Sequence, residues 1–576
     1  MKKTGNKVKL TTGGIILRVI LFALIVAFVI YPNINIIIQV LFEDGKFSTE
    51  VFGKLMKSQR VIKSMKNSLL LGVTLTLTVN IVGVLSVLFT EYWDIKGSKL
   101  LKPAYMTSLV YGGVVLATGY LFVYGQRGLV TNILKVFMPD LNAGWFTGYW
   151  AVLFMMTFAC TSNHVIFLTN AIRNLDYHVI EAAQNMGASD MTILFKIVLP
   201  SLMPTIYSLS IMTFLTGICA LSGPLMVGGE FQTINPLIVS FATSPTSRDL
   251  AAVLAMILGL ITIVFLIVLN KIESTGNYIS VSKTKAKMRK QKLRNPITNM
   301  IGHIIAWIMF VIYMLPIILV IVFSFCDSVS IKTSTLTLDS FTLQHYIKLF
   351  TKQAALKPYL VSLIYSLIAS VGAAAICVLA ARVALKKQRK FDKFFEYGML
   401  IPWMLPTTFV ALGILFTFNE PQWFVGNKIL IGTVFAMMIA YIVVKLPFSF
   451  RMIRAAFFGV EDSLEEAAQT MGAKPWYTLI RVILPVIMPS VLSVVALNFN
   501  ALLSDYDLSV FLYSPQYQPL GVVIKMMSDE GVSTDGTAMT LVYSVVLMAM
   551  CTVALWLTQG NGMEKIKKLF MKKADN

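Results

Sequence analysis

Two glutamates, Glu181 and Glu466, stand 285 residues apart, and each opens the same polar segment. The stretch from Glu181-Ala182-Ala183 through Gly187 to Leu199-Pro200 reappears as Glu466-Ala467-Ala468 through Gly472 to Leu484-Pro485. Ten of its twenty positions are identical without a gap. One carboxylate beside two alanines suits binding, not catalysis. Small side chains let a second backbone approach, and the carboxylate can accept from a basic residue or a helix N-terminus. A second polar group comprises Asn498, Asn500, Ser504, Asp505 and Asp507, and in the first copy the ungapped equivalents of the two aspartates are Ala220 and Ser222. Carboxylates at the end of an apolar stretch are candidates for a cation path or gate; alternatively they hydrate an aqueous loop.

Other chemistries find little material. The five cysteines (Cys160, Cys219, Cys326, Cys377, Cys551) and four histidines (His164, His178, His303, His345) are scattered without metal-ligand spacing. The pairs Gly45-Lys46 and Gly53-Lys54 are followed by Phe47 and Leu55, so neither belongs to a phosphate-cradling loop. No catalytic residue, no metal site and no cofactor bound by this chain is expected.

The elements that must position these residues are membrane helices. Of the 576 residues 56% are hydrophobic and 13% charged, with a mean hydropathy of +0.74, against about 25% charged in soluble domains. Twelve apolar stretches are long enough to cross a bilayer: 14–40, 67–90, 103–124, 146–169, 201–222, 249–270, 301–325, 359–381, 397–417, 429–450, 486–506 and 538–558. The expected fold class is an all-α polytopic membrane protein. It divides into a first half at 1–270, a basic linker at 271–300 and a second half at 301–576, with the repeated loops at 176–200 and 461–485. An even number of spans per half makes the repeats parallel. A weaker echo, Ser68-Leu69 and Ser362-Leu363, has drifted to an offset of 294.

The net charge of +21 does not call for nucleic acid, because the basic residues cluster in short loops. Lys283 to Arg294, Arg382 to Lys393 and Lys565 to Lys573 all fall on the cytoplasmic side if both termini are inside, as the positive-inside rule asks. The loop 43–66, with Lys46, Lys54, Lys57, Arg60, Lys63 and Lys66, opposes that orientation.

Within the repeat, Asp176 to Met186 reads as a short helix ended by Gly187 in the left-handed conformation. Ser189 reads as the N-cap of a second helix, and Pro475 stands at its first position in the other copy. Leu199-Pro200 and Leu484-Pro485 are expected to interrupt that second helix before the next span. Such an elbow could dock on another protein or pack against its own spans, and the residues alone leave both open.

The pattern Glu-Ala-Ala, three residues, Gly, nine residues, an aliphatic residue, one more residue and Leu-Pro resembles the EAA loop of ATP-binding-cassette (ABC) importer permeases. Both copies carry it: Glu181-Ala182-Ala183, Gly187, Ile197, Leu199-Pro200, and Glu466-Ala467-Ala468, Gly472, Val482, Leu484-Pro485. The resemblance implies a type I importer permease with two subunits fused in one chain, in a plasma or inner membrane. The loops would couple to two copies of a separate ATPase subunit, which binds ATP and Mg, and an extracytoplasmic binding protein would deliver the solute. Among fused permeases the chain is most similar to the ferric-iron group, with 2-aminoethylphosphonate and thiamine permeases as alternatives. A secondary transporter is the reading from another class, but it would need charges buried at mid-membrane. The spans look almost free of them, with Lys445 near a span's cytoplasmic end.

Overall fold

The computed structural model describes residues 12–43, 46–47, 50–109, 111–274, 288–385, 390–528 and 534–559. Several basic residues named above (Lys283, Lys285, Lys287, Lys386, Lys387, Arg389 and Lys565 to Lys573) lie outside them. Among the described residues ten helices are long and apolar enough to cross a membrane, and two bent pairs, each taken as one span, bring the number to twelve. In chain order these are α1 (Gly14–Leu41), α2 (Gln59–Tyr92), α3 (Ser98–Leu109 with Gly113–Phe137), α4 (Tyr149–Arg173), α5 (Asp190–Ile218) and α6 (Arg248–Val268). The second half follows with α7 (Pro296–Ser324), α8 (Gln353–Val383), α9 (Glu396–Met404 with Thr407–Phe418), α10 (Val434–Phe458), α11 (Pro475–Leu503) and α12 (Asp535–Leu557). Outward-facing Leu77, Ile81, Leu260 and Ile304 are at least half exposed. In water that would be costly; in lipid it is what a spanning helix presents.

The third span of each half is not straight, contrary to the stretches 103–124 and 397–417. α3 bends by 117° and α9 by 109°. Each break has a local cause. Gly113, with φ +55°, adopts a conformation that side-chain-bearing residues avoid. In α9, Pro406 caps the second limb and has no N–H to continue the first. Helix α2 also begins earlier than hydropathy suggests, so Arg60, Lys63 and Lys66 ride on its first turns and not in a loop.

The two halves of the sequence are not the two packing units. One apolar core joins residues of α2–α5 to α7 and α12. The other joins α8–α11 to α1 and α6. The inner helices repeat faithfully: α2 packs on α4 and α5 as α8 packs on α10 and α11. The first helices cross over, α1 lying along α9 and α7 along α3. Each half therefore lays its opening helix against the other, which ties the pair together.

The serine echo has a structural counterpart. The Ser68 hydroxyl accepts the Ile234 N–H at 2.8 Å, and the Ser362 hydroxyl accepts the Leu520 N–H at 2.7 Å. Both serines cap a short helix that follows the fifth span, Ile234–Ala242 or Leu520–Ser528. His164, fully buried on α4, has Nε2 3.2 Å from Asn80 Oδ1 and sits over Gly83, where an added Cβ would come within 2.5 Å of its own. It holds two helices together.

Candidate functional site

The repeated segments form two elbows of the same backbone. In the first, Tyr177–Asn185 is helical and the Asp176 side chain caps it by accepting the His178 N–H. Gly187 then turns with φ +80°; its N–H donates to Gln184 O at 2.9 Å and the Ala188 N–H to Ala183 O at 3.0 Å. The second elbow has helix Asp462–Thr470, Gly472 at φ +79°, and the bonds Gly472 N–H to Gln469 O at 2.9 Å and Ala473 N–H to Ala468 O at 3.0 Å. This pairing of a long and a short return bond is the Schellman helix ending, which needs the left-handed glycine. Ser189 caps the next helix through the Thr192 N–H at 3.2 Å, and Pro475 occupies the first turn in the other copy.

The prolines do not break that next helix. Asp190 runs through to Ile218 and Pro475 through to Leu503, because one turn widens to a π-helix, at Leu194–Val198 and Leu479–Ile483. The wider turn lies just ahead of each Leu-Pro, where a proline ring would otherwise meet the carbonyl four residues back. The second arm of each elbow is thus continuous with the fifth span.

Six passes through the bundle separate the elbows, so both lie at one face. Ala183 and Ala468 are buried against the bundle, whereas Glu181, Ala182, Glu466 and Ala467 are exposed. Beside each glycine stands a methionine that sequence reasoning passed over: Met186 and Met471 are each 81% exposed. Val179 and Leu464, also equivalent, are exposed on the same two helices. Their recurrence at one offset was the available signal. Exposed apolar side chains around an exposed carboxylate are suited to docking another protein.

The supports beneath the elbows differ. On the second, Arg382 at the end of α8 grips Glu465 with two bonds of 2.8 Å, and the equivalent of Glu465 in the first elbow is Ile180, which is buried. On the first, residues 288–295 cross beneath the elbow. Gln291 bridges the backbone after α2, its N–H donating to Tyr92 O at 2.7 Å and its carbonyl accepting the Asp94 N–H at 2.9 Å. Gln184 Nε2 donates to Gln291 Oε1 at 2.7 Å, the Arg294 N–H donates to Asp190 Oδ2 at 2.9 Å, and Arg289 lies 5.8 Å from the Tyr177 ring centre. Lys290 donates to Ser98 Oγ at 2.6 Å; partial burial holds its ammonium below the ordinary lysine range. Nearby, Glu91 is bound by Arg173 and Lys102.

At the opposite end of α11, Asp505 accepts the Leu508 and Ser509 N–H groups at 3.3 and 3.1 Å. Tyr441, buried on α10, lies close to it. Asp507 accepts a hydrogen bond from Ser222 of the first half. These two residues are equivalent under the duplication, and equivalent positions touch only where the pseudo-two-fold axis passes. Asn498 instead donates to Ser449 Oγ at 2.7 Å and Asn500 to Cys551 O at 3.2 Å, both within the second half. Lys445 is not near a helix end. It lies midway along α10, within electrostatic reach of Asp505, because α10 continues eight residues past the apolar stretch ending at 450. An ionisable side chain therefore sits midway along a span. Among the described residues no three His, Cys, Asp or Glu side chains converge as a metal site.

Two fused helical repeats with matching elbows at one face define a membrane transport subunit built from two permease units. The chain belongs to the family of binding-protein-dependent transport system inner membrane components, whose model matches residues 14–272 and 374–560. It is an ABC importer permease. A probable ABC transporter permease protein of Sinorhizobium fredii is 34% identical over 93% of this chain and 94% of its own length. The ferric transport system permease protein FbpB of Actinobacillus pleuropneumoniae is 22% identical over 98% of this chain and 80% of its own. A putative 2-aminoethylphosphonate transport system permease protein, PhnV of Salmonella choleraesuis, is 28% identical and aligns 95% of its length with 44% of this chain.

Proposed function

We propose that this permease imports ferric iron, with one ATPase subunit seated on each elbow and the solute passing between α5 and α11. The observation that supports the coupling is the pair of matching elbows, each exposing a glutamate and a methionine and each leading into a fifth span. ATP and Mg are held by the ATPase subunits, and an external binding protein delivers the cargo. The elbow face and both termini are cytoplasmic, a reading that the three basic clusters support. Closure of the ATPase pair draws the elbows together and rocks the halves apart at the other end. Such a shift needs contacts that differ between the two states, and the Ser222–Asp507 bond across the axis is one that opening would break.

Iron is supported by similarity to FbpB over nearly the whole chain, and by the oxygen-rich seam around Asp505 and Asp507, which suits a hard cation. Similarity to PhnV favours 2-aminoethylphosphonate as a second reading. Calorimetry of the cognate binding protein against Fe(III), 2-aminoethylphosphonate and thiamine decides the cargo; iron is expected to bind, and heat only with the phosphonate would overturn it. The double variant Glu181→Gln/Glu466→Gln is expected to insert normally and to lose transport-coupled ATP hydrolysis. Uptake equal to the parent's would sink the coupling assignment.

A further inference from the structure

Residues 288–295 belong in sequence to the join between the halves, yet they lie on the first elbow. Three attachments fix them there: the backbone bridge at Gln291, the Gln184–Gln291 side-chain bond and the Arg294–Asp190 bond. Leu293 and Met288 add apolar packing on the core below. The contacts fall on both sides of the Met186–Gly187 turn, at Gln184 before it and Asp190 after it. Tyr177, Glu181 and Gln184 are spaced by four and three residues, so they share one side of their helix. Two of those three touch the segment, and Glu181 sits between them.

The second elbow cannot receive such a segment in the same way. Its equivalent of Tyr177 is Asp462, which has no aromatic ring, and its equivalent of Asp190 is Pro475, which has no carboxylate. Its Gln469 donates instead to Glu465 of its own helix at 3.1 Å. The difference is therefore built into side chains, not only into where the linker happens to run.

We propose that residues 288–295 are part of the ATPase docking site at the first elbow alone. Arg289, Lys292 and Arg294, all exposed, extend that site with positive charge and take an acidic surface of the ATPase subunit that the second elbow leaves untouched. The two ATPase copies are then held by different contacts, one reaching the linker between the halves as well as the first half and the other reaching the second half alone. This rests on the coupling role of the elbows, and charge at such a rim acts mainly through orientation and association rate.

The test uses the complete transporter in lipid nanodiscs, with a photo-activated benzophenone amino acid placed singly at Met186, Met471 or Lys292. All three sites are expected to capture the ATPase subunit. Capture from Met186 and Met471 but only phospholipid, or nothing, from Lys292 would overturn the proposal while leaving the elbows as docking sites. Silence at Met186 and Met471 would overturn both. The variant Gln184→Ala/Asp190→Ala removes two of the attachments, and should lower capture from Lys292 about tenfold with capture from Met471 unchanged. Unaltered capture from Lys292 in that variant would show that the docked position is irrelevant to the contact, and would count against the proposal.

Discussion

The first and second elbows share a backbone to within a tenth of an ångström in their return hydrogen bonds, yet they stand on unrelated supports. One is strapped by a segment of the linker between the halves, the other is gripped by an arginine of its own half. The two copies agree in what they present outward: Glu181 and Glu466, Met186 and Met471, Gly187 and Gly472. They diverge beneath, where Ile180 answers to Glu465 and Asp190 to Pro475. Under the proposed coupling role a docking surface is constrained by its partner, and two copies of one ATPase subunit would demand two similar surfaces. A support has only to hold the surface still, which several side-chain arrangements can do.

The sharpest way to break this comparison is at Arg382. Its side chain is 12% exposed and that of Glu465 18%, so Arg382→Ala strands a largely buried carboxylate, at a cost of about 3 kcal/mol. Hydrogen exchange should rise at residues 462–473 and stay unchanged at 177–188. Equal acceleration in both elbows would mean that they share one support. A smaller effect is expected where the copies agree. Gly187→Ala and Gly472→Ala each force a side chain into the left-handed region, costing about 1–2 kcal/mol. Neither glycine has an atom within 4 Å of an added Cβ, so backbone strain alone sets the penalty and the two variants should lose equal protection at their own elbows. Unequal losses would show that the supports reach into the turn itself.

What was legible in the sequence follows the same division. The elbows, their glycines, the Ser189 cap and the Pro475 start depend on short-range rules, and each could be read from a few adjacent residues. The twelve passes were legible because lipid imposes length and polarity on every one. The bends in α3 and α9 were not, since hydropathy averages across Gly113 and Pro406 without noticing them. Nor was the continuous helix through Leu199-Pro200: a proline signals a break, and the π-turn that absorbs it has no sequence marker of its own. Lys445 was misplaced because α10 carries on past its apolar stretch. The crossing of α1 and α7 between the halves, and the strap at 288–295, are contacts across hundreds of residues, and no local pattern encodes them.

The serine caps carry the comparison into the membrane, at a smaller cost. Ser68 and Ser362 have drifted to an offset of 294, whereas the residues they cap, Ile234 and Leu520, are 286 apart. Spacing along the chain has slipped, and the bond has survived at 2.8 and 2.7 Å. Both hydroxyls are buried and each satisfies an N–H that opens a helix, so Ser68→Ala and Ser362→Ala should each cost about 1 kcal/mol. The sites lie in different halves and share no partner, so the double variant should lose the sum. Thermal unfolding of the purified permease, followed by tryptophan fluorescence, would read all three. Equal, additive losses would mean that the halves still match inside the bilayer and differ only where the elbows are held. A clear inequality would mean that the asymmetry seen at the elbows runs the length of the molecule.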